Sequence, residues 1–262
     1  MNDEGVTVNV ARLFYWGQTA DDLTKILNPD KRFNKLRVED PNVPTFAASM
    51  VQNTGVYGTT WWWYYGQTAG QVGRLLSGSG LPSQARRLIS IDPYFTSGGL
   101  RFAVVMVPNT GAQERAWWWY YGQSAEQVRI LLSQNNARLV ELRPYNDNGQ
   151  LVFAVIMISN TGEDGLRWEW WYGESIDFIK ARIEKERIEK EPLRVVALAP
   201  DPFGNWSAIL DEADNFAWWW WYGQSGNQVL SHMDEHHSRL IDLSSYEDNG
   251  NRVYTAVELG LQ

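Results

Sequence analysis

Trp117-Trp118-Trp119-Tyr120-Tyr121-Gly122-Gln123-Ser124-Ala125-Glu126-Gln127 compresses a strand, a turn and a helix start into one short stretch. Five consecutive aromatic residues favour extended backbone, where large side chains lie on a pleated surface. Gly122 ends that run. Ser124 followed by Gln127 is the hydroxyl-x-x-Gln capping box, in which the two side chains satisfy the first free amides of a helix. Val128, Leu131 and Leu132 then fall on one helical face.

The same reading recurs along the chain. Aromatic runs end at Gly17, Gly66, Gly122, Gly173 and Gly223, which are 49, 56, 51 and 50 residues apart, a spacing that marks a repeat architecture. Fourteen of the 15 tryptophans lie in these five strands. The capping box is repeated at Thr68/Gln71 and Ser225/Gln228, approximated at Thr19/Asp22, and broken at Ser175/Phe178. After each helix comes a strand opened by a basic residue: Arg87, Arg138, Arg194 and Arg239, with Lys35 as the first-unit counterpart. Tyr94, Tyr145 and Tyr246 lie seven residues after the arginine in their units. Asn148-Gly149 and Asn249-Gly250 suit the positive φ angles of a tight hairpin. Return strands follow, as in Phe102 to Val107 and Phe153 to Ile158, and three of them lead into an Asn-Thr-Gly loop.

The order strand, helix, strand, strand therefore occurs five times, with units at about 7–55, 56–111, 112–162, 163–212 and 213–262 of a single repeat domain. This predicts an α/β repeat protein of five βαββ units. The helical crossover makes the strands it joins parallel. We expect a curved mixed sheet with helices on one face, as a half-barrel or as a closed αβ-propeller-like ring without sheet edges.

The pattern resembles the bacterial tandem-repeat domain found beside the serine-hydrolase domain of polyglycine hydrolases. The residues that carry the resemblance are Arg138-Leu139 with Tyr145, Gly149, Phe153-Ala154, and Trp168 leading to Gly173 and Ser175. It implies a non-catalytic module that engages substrate. The present chain departs by running three or four aromatics together, so the substrate class does not carry over.

Composition bounds the remaining readings. A net charge of −8, from 31 acidic and 23 basic residues, repels phosphate backbones and argues against nucleic acid. Absence of cysteine excludes disulfides and thiolate chemistry. No apolar run approaches the ~20 residues of a membrane span, and no signal peptide is recognisable, which leaves the compartment open. His232 and His236 share a helical face at a zinc-compatible spacing, but no His-Glu-x-x-His signature accompanies them, and neither metal nor cofactor is expected. No Gly-x-Ser-x-Gly, phosphate loop or dinucleotide fingerprint appears. A hydrolase built on Asp211 or His232 is the weakest reading, and a non-enzymatic role is expected.

Strand alternation divides the aromatics between two faces. One carries Trp62/Tyr64, Trp118/Tyr120, Glu169/Trp171 and Trp219/Trp221. The other carries Trp61/Trp63/Tyr65 and its equivalents. Glu169 marks the first face as the wet one, since a carboxylate is seldom buried unpaired. That face, with Asn53, Asn109 and Asn160 of the loops, is the candidate ligand-binding surface for carbohydrate or an extended polypeptide. The alternative is a structural or assembly protein with internal aromatic ladders and protein partners.

Overall fold

A computed structural model describes residues 13–55, 58–78, 85–111, 114–187 and 193–261. The first unit comprises β1 (Leu13–Thr19), α1 (Ala20–Ile26), β2 (Lys31–Asp40) and β3 (Thr45–Gln52). The second comprises β4 (Trp62–Gln67), α2 (Ala69–Ser77), β5 (Arg86–Thr96) and β6 (Gly99–Pro108). In the third are β7 (Trp117–Gln123), α3 (Ala125–Asn135), β8 (Ala137–Asp147) and β9 (Gln150–Ser159). The fourth has β10 (Trp168–Glu174), α4 (Ile176–Arg187), β11 (Leu193–Pro200) and β12 (Trp206–Glu212). The fifth has β13 (Trp218–Gln224), α5 (Gly226–Glu235), β14 (Ser238–Asp248) and β15 (Asn251–Gly260).

The expected single mixed sheet is instead five separate three-stranded sheets, each antiparallel and ordered first, third, second. The hairpin seats the third strand on the second, and the aromatic strand adds to the third strand's remaining edge. The two strands joined by the helix are parallel, as expected, but the third strand lies between them. At Asn148-Gly149 and Asn249-Gly250 all four residues have positive φ, between 49° and 85°, as a type I′ hairpin requires.

The recurring glycines have a specific task. Between Tyr64 and Gln67 the aromatic strand carries one residue more than its partner does between Val104 and Phe102, and the same irregularity occurs in every unit. Gly17, Gly66, Gly122, Gly173 and Gly223 all sit at φ between 63° and 68°, the left-handed conformation of a glycine bulge. The bulge frees the glycine amide from the ladder, and in four of the units a side chain captures it. Gly66, Gly122 and Gly223 donate to the hydroxyls of Tyr94 (2.8 Å), Tyr145 (2.7 Å) and Tyr246 (2.9 Å), and Gly17 donates to Glu39 Oε2 (2.7 Å).

Glu39 thus occupies the tyrosine position of the first unit, seven residues after Arg32. Arg32, not Lys35, is therefore the counterpart of Arg87, Arg138, Arg194 and Arg239. A second bulge on the second strand, between Phe33 and Lys35, Leu88 and Ser90, Leu139 and Glu141, Val195 and Ala197, and Leu240 and Asp242, fixes the same alignment. Lys35 is equivalent to Ser90, Glu141, Ala197 and Asp242.

Helix starts follow the sequence. Capping boxes are complete at Thr19/Asp22, Thr68/Gln71, Ser124/Gln127 and Ser225/Gln228. Ser175 still accepts from the amide of Phe178 (3.2 Å), so the fourth unit keeps half of the device. No helix among the described residues is long and apolar enough to cross a membrane.

Hydrophobic layers form between units. Val72 and Leu76 of α2, with Ile91, Phe102 and Val104, pack against Tyr145, Ala154 and Ile156 of the third unit. Burying one such side chain contributes roughly 1.5–3 kcal/mol. The fifth and first units meet in the same way, with Val229, Met233 and Leu243 against Phe14 and Ala47. The second strands lie against one another in the series β2, β5, β8, β11 and β14, and β14 also lies against β2. Polar bonds cross that last junction: Asn34 Nδ2 donates to Leu240 O (2.9 Å), Arg37 Nε to Leu243 O (2.6 Å) and Arg252 Nη2 to Glu39 O (2.7 Å). The junction is also tight. A Cβ built on Gly226 would lie 2.4 Å from Cδ2 and Cε2 of Trp16, where the other four helices begin with Ala20, Ala69, Ala125 and Ile176.

Candidate functional site

The aromatic strands lie at the outer edge of each sheet, and both of their faces are half-buried. Trp62 and Tyr64 pack on their own unit's core beside α2, and Trp118 and Tyr120 do so beside α3. Trp171 occupies the same place in the fourth unit, 6.2 Å from Phe178 of α4. Trp221 stacks on His232 at 3.9 Å and Trp219 on His236 at 4.2 Å. Cations cover two of these indoles: the Arg86 guanidinium lies 3.8 Å from the Trp62 ring and that of Arg182 lies 5.3 Å from Trp171. Glu169 is paired with Arg182 at 3.3 Å. Each unit's set therefore stays with its own helix, and the sets are not assembled into one patch.

The opposite face meets the preceding unit. Trp63 sits edge-on to Phe33 (5.3 Å) and Phe46 (6.2 Å), Trp119 to Phe102 (6.0 Å) and Trp170 to Phe153 (6.1 Å). The tyrosine before each glycine stacks on the tryptophan two residues earlier, at 5.9 Å for Tyr65, 5.6 Å for Tyr121 and 4.9 Å for Tyr172. These three tyrosines, 39%, 41% and 45% exposed, are the most open aromatic residues of their strands. Sequence alternation placed them on the face opposite Glu169. The glycine bulge interrupts the ladder directly after each of these tyrosines.

Asn53, Asn109 and Asn160 close their own loops. Each side chain imitates a peptide group, accepting from the amide six residues on and donating to the carbonyl of the same residue: Thr59, Arg115 and Leu166, all between 2.9 and 3.1 Å. Their amides are consumed in the turn.

Sequence reasoning missed the centre of the molecule, where the five second strands converge. Arg37 Nη2 lies 2.6 Å from Glu141 Oε1 and 3.3 Å from Asp242 Oδ1. Arg143 Nε lies 2.9 Å from Glu141 Oε1, and the same guanidinium reaches Asp242 and Ser244. Lys35 pairs with Glu141. Arg37 Nη1 donates to Ser90 Oγ (2.8 Å), and Asp242 Oδ2 accepts from the amide of Leu198 (3.0 Å), so every unit contributes. All these side chains are buried. Burial pushes the Glu141 and Asp242 carboxyls up, and the charges of Arg37 and Lys35 pull against it. Asp92, which accepts from the Val38 amide at 2.8 Å, is pushed up to about 7 by burial. Three cations thus face three carboxyls. Beside them lies a cavity of about 170 Å³, lined from all five units by Arg37, Asp92, Arg143, Ala199, Ser244 and their successors.

The network hides in the sequence because its chemistry changes from unit to unit at one aligned position: Lys35, Ser90, Glu141, Ala197, Asp242. Counting from the tyrosine position would have found it. Elsewhere, Ser238 Oγ donates to Glu258 Oε2 (2.6 Å) and His236 Nδ1 lies 3.3 Å from the same oxygen, so the hydroxyl faces the carboxylate. No group of three or more metal-ligating side chains that could hold a metal ion occurs among the described residues.

Residues 217–257, the fifth unit from its aromatic strand into its return strand, match the family model of the polyglycine hydrolase-like structural repeat. This supports the resemblance read from the repeated motifs. No curated protein gives a significant match to the chain.

Proposed function

We propose that the chain is a non-catalytic recognition module whose five units form a closed αβ-propeller-like ring and whose rim binds carbohydrate or an extended polypeptide. Closure is supported by the packing of β14 on β2 and by the seating of Trp16 on Gly226. The observation that carries the binding reading is the row of Tyr65, Tyr121 and Tyr172, held at equivalent positions of consecutive units with one ring face braced by an indole. A rigid, partly exposed aromatic costs little side-chain entropy on binding and suits stacking against a sugar ring or a peptide plane. Similar sites in linked units would give avidity for a repetitive ligand. Trp63, Trp119 and Trp170 support that rim from behind.

The matched family's description makes glycine-rich peptide one arm of the test and an oligosaccharide panel the other. Tryptophan fluorescence reports on both, because the indoles lie directly behind the tyrosines. Saturable quenching that is lost in the Tyr65→Ala, Tyr121→Ala, Tyr172→Ala triple variant is expected. A flat response across both panels overturns the reading.

A second reading is favoured by the half-burial of the indoles in the unit seams: a structural or assembly protein whose outer surface docks protein partners. Light scattering distinguishes it. A strict monomer that captures no partner removes it.

A further inference from the structure

The realigned arginines form a set of their own. Arg32, Arg87, Arg138, Arg194 and Arg239 stand at one equivalent position near the start of the five second strands, at the end of the molecule where the Asn-Thr-Gly loops lie. Arg194 is neutralised by Asp211 (3.1 Å) and Asp214 (2.7 Å). Arg32, Arg87 and Arg138 have no ion-pair partner among the described residues, although the charges of Asp211 and Asp164 favour the Arg138 cation. Each is largely buried yet keeps part of its surface in solvent, and the Nε of each is buried without a hydrogen-bond partner among the described residues.

Neighbouring arginines add to the cost of each. Burial lowers Arg32 to about 10, with the charges of Arg239 and Arg87 adding to the effect. Burial also lowers Arg87, reinforced by Arg115, which itself pairs with Asp164 at 3.2 Å. Arg138 is lowered by burial and partly restored by Asp211 and Asp164. A desolvated guanidinium that no carboxylate pairs directly is costly. Three at equivalent positions in one protein of net charge −8 concentrate a positive field at one end of a molecule that otherwise repels anions.

We propose that this end of the five-strand centre is an oxyanion-binding site, in which Arg32, Arg87 and Arg138 receive a carboxylate or phosphate group of a ligand. The planar guanidinium fork suits either group. The site is independent of the rim tyrosines.

The test is isothermal titration calorimetry on the full chain at constant ionic strength in chloride, with inorganic phosphate and succinate as separate titrants. Saturable binding of at least one is expected, and the stronger titrant identifies the group. In the Arg32→Met, Arg87→Met double variant the affinity falls about tenfold or more, the scale of losing one charge-assisted hydrogen bond. The single Arg138→Met variant shows the same direction. Arg129→Met, at an exposed arginine paired with Glu126 at 2.5 Å, leaves binding unchanged. The double variant is expected to be at least as stable as the parent in chloride, because it removes charges that lack partners. No saturable heat from either titrant, undiminished binding in the double variant, or its failure to fold would each overturn the assignment.

Discussion

Replacing Gly226 by alanine tests the junction between the fifth and first units. The added methyl would lie 2.4 Å from two atoms of the Trp16 indole and 2.9 Å from a third. No real Cβ tolerates this, so the indole or the start of α5 must move. Trp16 is wedged between Phe14, at 5.2 Å, and the core beneath α5, so its retreat is limited. Overpacking of this kind costs about 1–3 kcal/mol. Alanine's better helix propensity returns less than about 1 kcal/mol. A net loss of about 1–2 kcal/mol follows, which lowers Tm by about 2–4 °C per kcal/mol in a chain of this size. Differential scanning calorimetry measures it. Trp16→Tyr restores the ring type found at the equivalent positions 65, 121, 172 and 222, and it is expected to rescue Gly226→Ala. The double-mutant cycle should therefore show a coupling of about 1 kcal/mol, within the range for residues in contact. If Gly226→Ala instead raises Tm and the cycle is additive, α5 does not pack on β1 and the argument for a closed ring fails.

Three further substitutions probe the centre and the bulges. Asp92 titrates near 7 when folded, against about 4 when unfolded. The native state therefore holds a proton that the unfolded chain has released, and stability falls as pH rises through that window. Asp92→Asn should flatten the decline, and urea midpoints at about pH 5 and pH 8 should differ less than in the parent; an unchanged profile refutes the assignment. Glu141→Gln removes the carboxylate shared by Lys35, Arg37 and Arg143, and a loss of about 3–5 kcal/mol is expected in urea unfolding. A loss below about 1 kcal/mol would mean that the cations are served by other groups. Tyr145→Phe withdraws the acceptor from the Gly122 amide, for about 1–2 kcal/mol by the same assay; hydrogen exchange at Gly122 should accelerate, and unchanged protection there would show another partner.

Much of the unit was legible in the sequence because its signals are local. Aromatic runs, capping boxes and Asn-Gly turns act within a few residues, and each produced the element expected of it. Strand order was not legible, because Phe102 can pair with Gln67 and with Pro93 at once only when the third strand lies between the other two. The exposure of Trp62 and Trp63 was hidden for a related reason. One indole meets its own helix, the other meets the preceding unit, and alternation within a strand cannot say what covers either face. Lys35 was misaligned because a positive charge was taken as the marker of the position, whereas the capture of a glycine amide by Glu39 or Tyr94 is what the position does. The central network follows from that alignment and from nothing in any single unit.

Solenoid proteins gain and lose repeats readily, since each unit contacts only its neighbours and stability is a sum of local terms. The central charges deny this chain that freedom. Lys35 and Arg37 come from the first unit, Glu141 and Arg143 from the third, and Asp242 from the fifth, so the pairs made by Glu141 and Arg143 tie the third unit to two units that it does not adjoin. Deleting the third unit would leave two cations facing Asp242 without Glu141, and duplicating it would bring a surplus of both signs. Each unit carries its own address, and the central charges set how many units, and in what order, can balance one another.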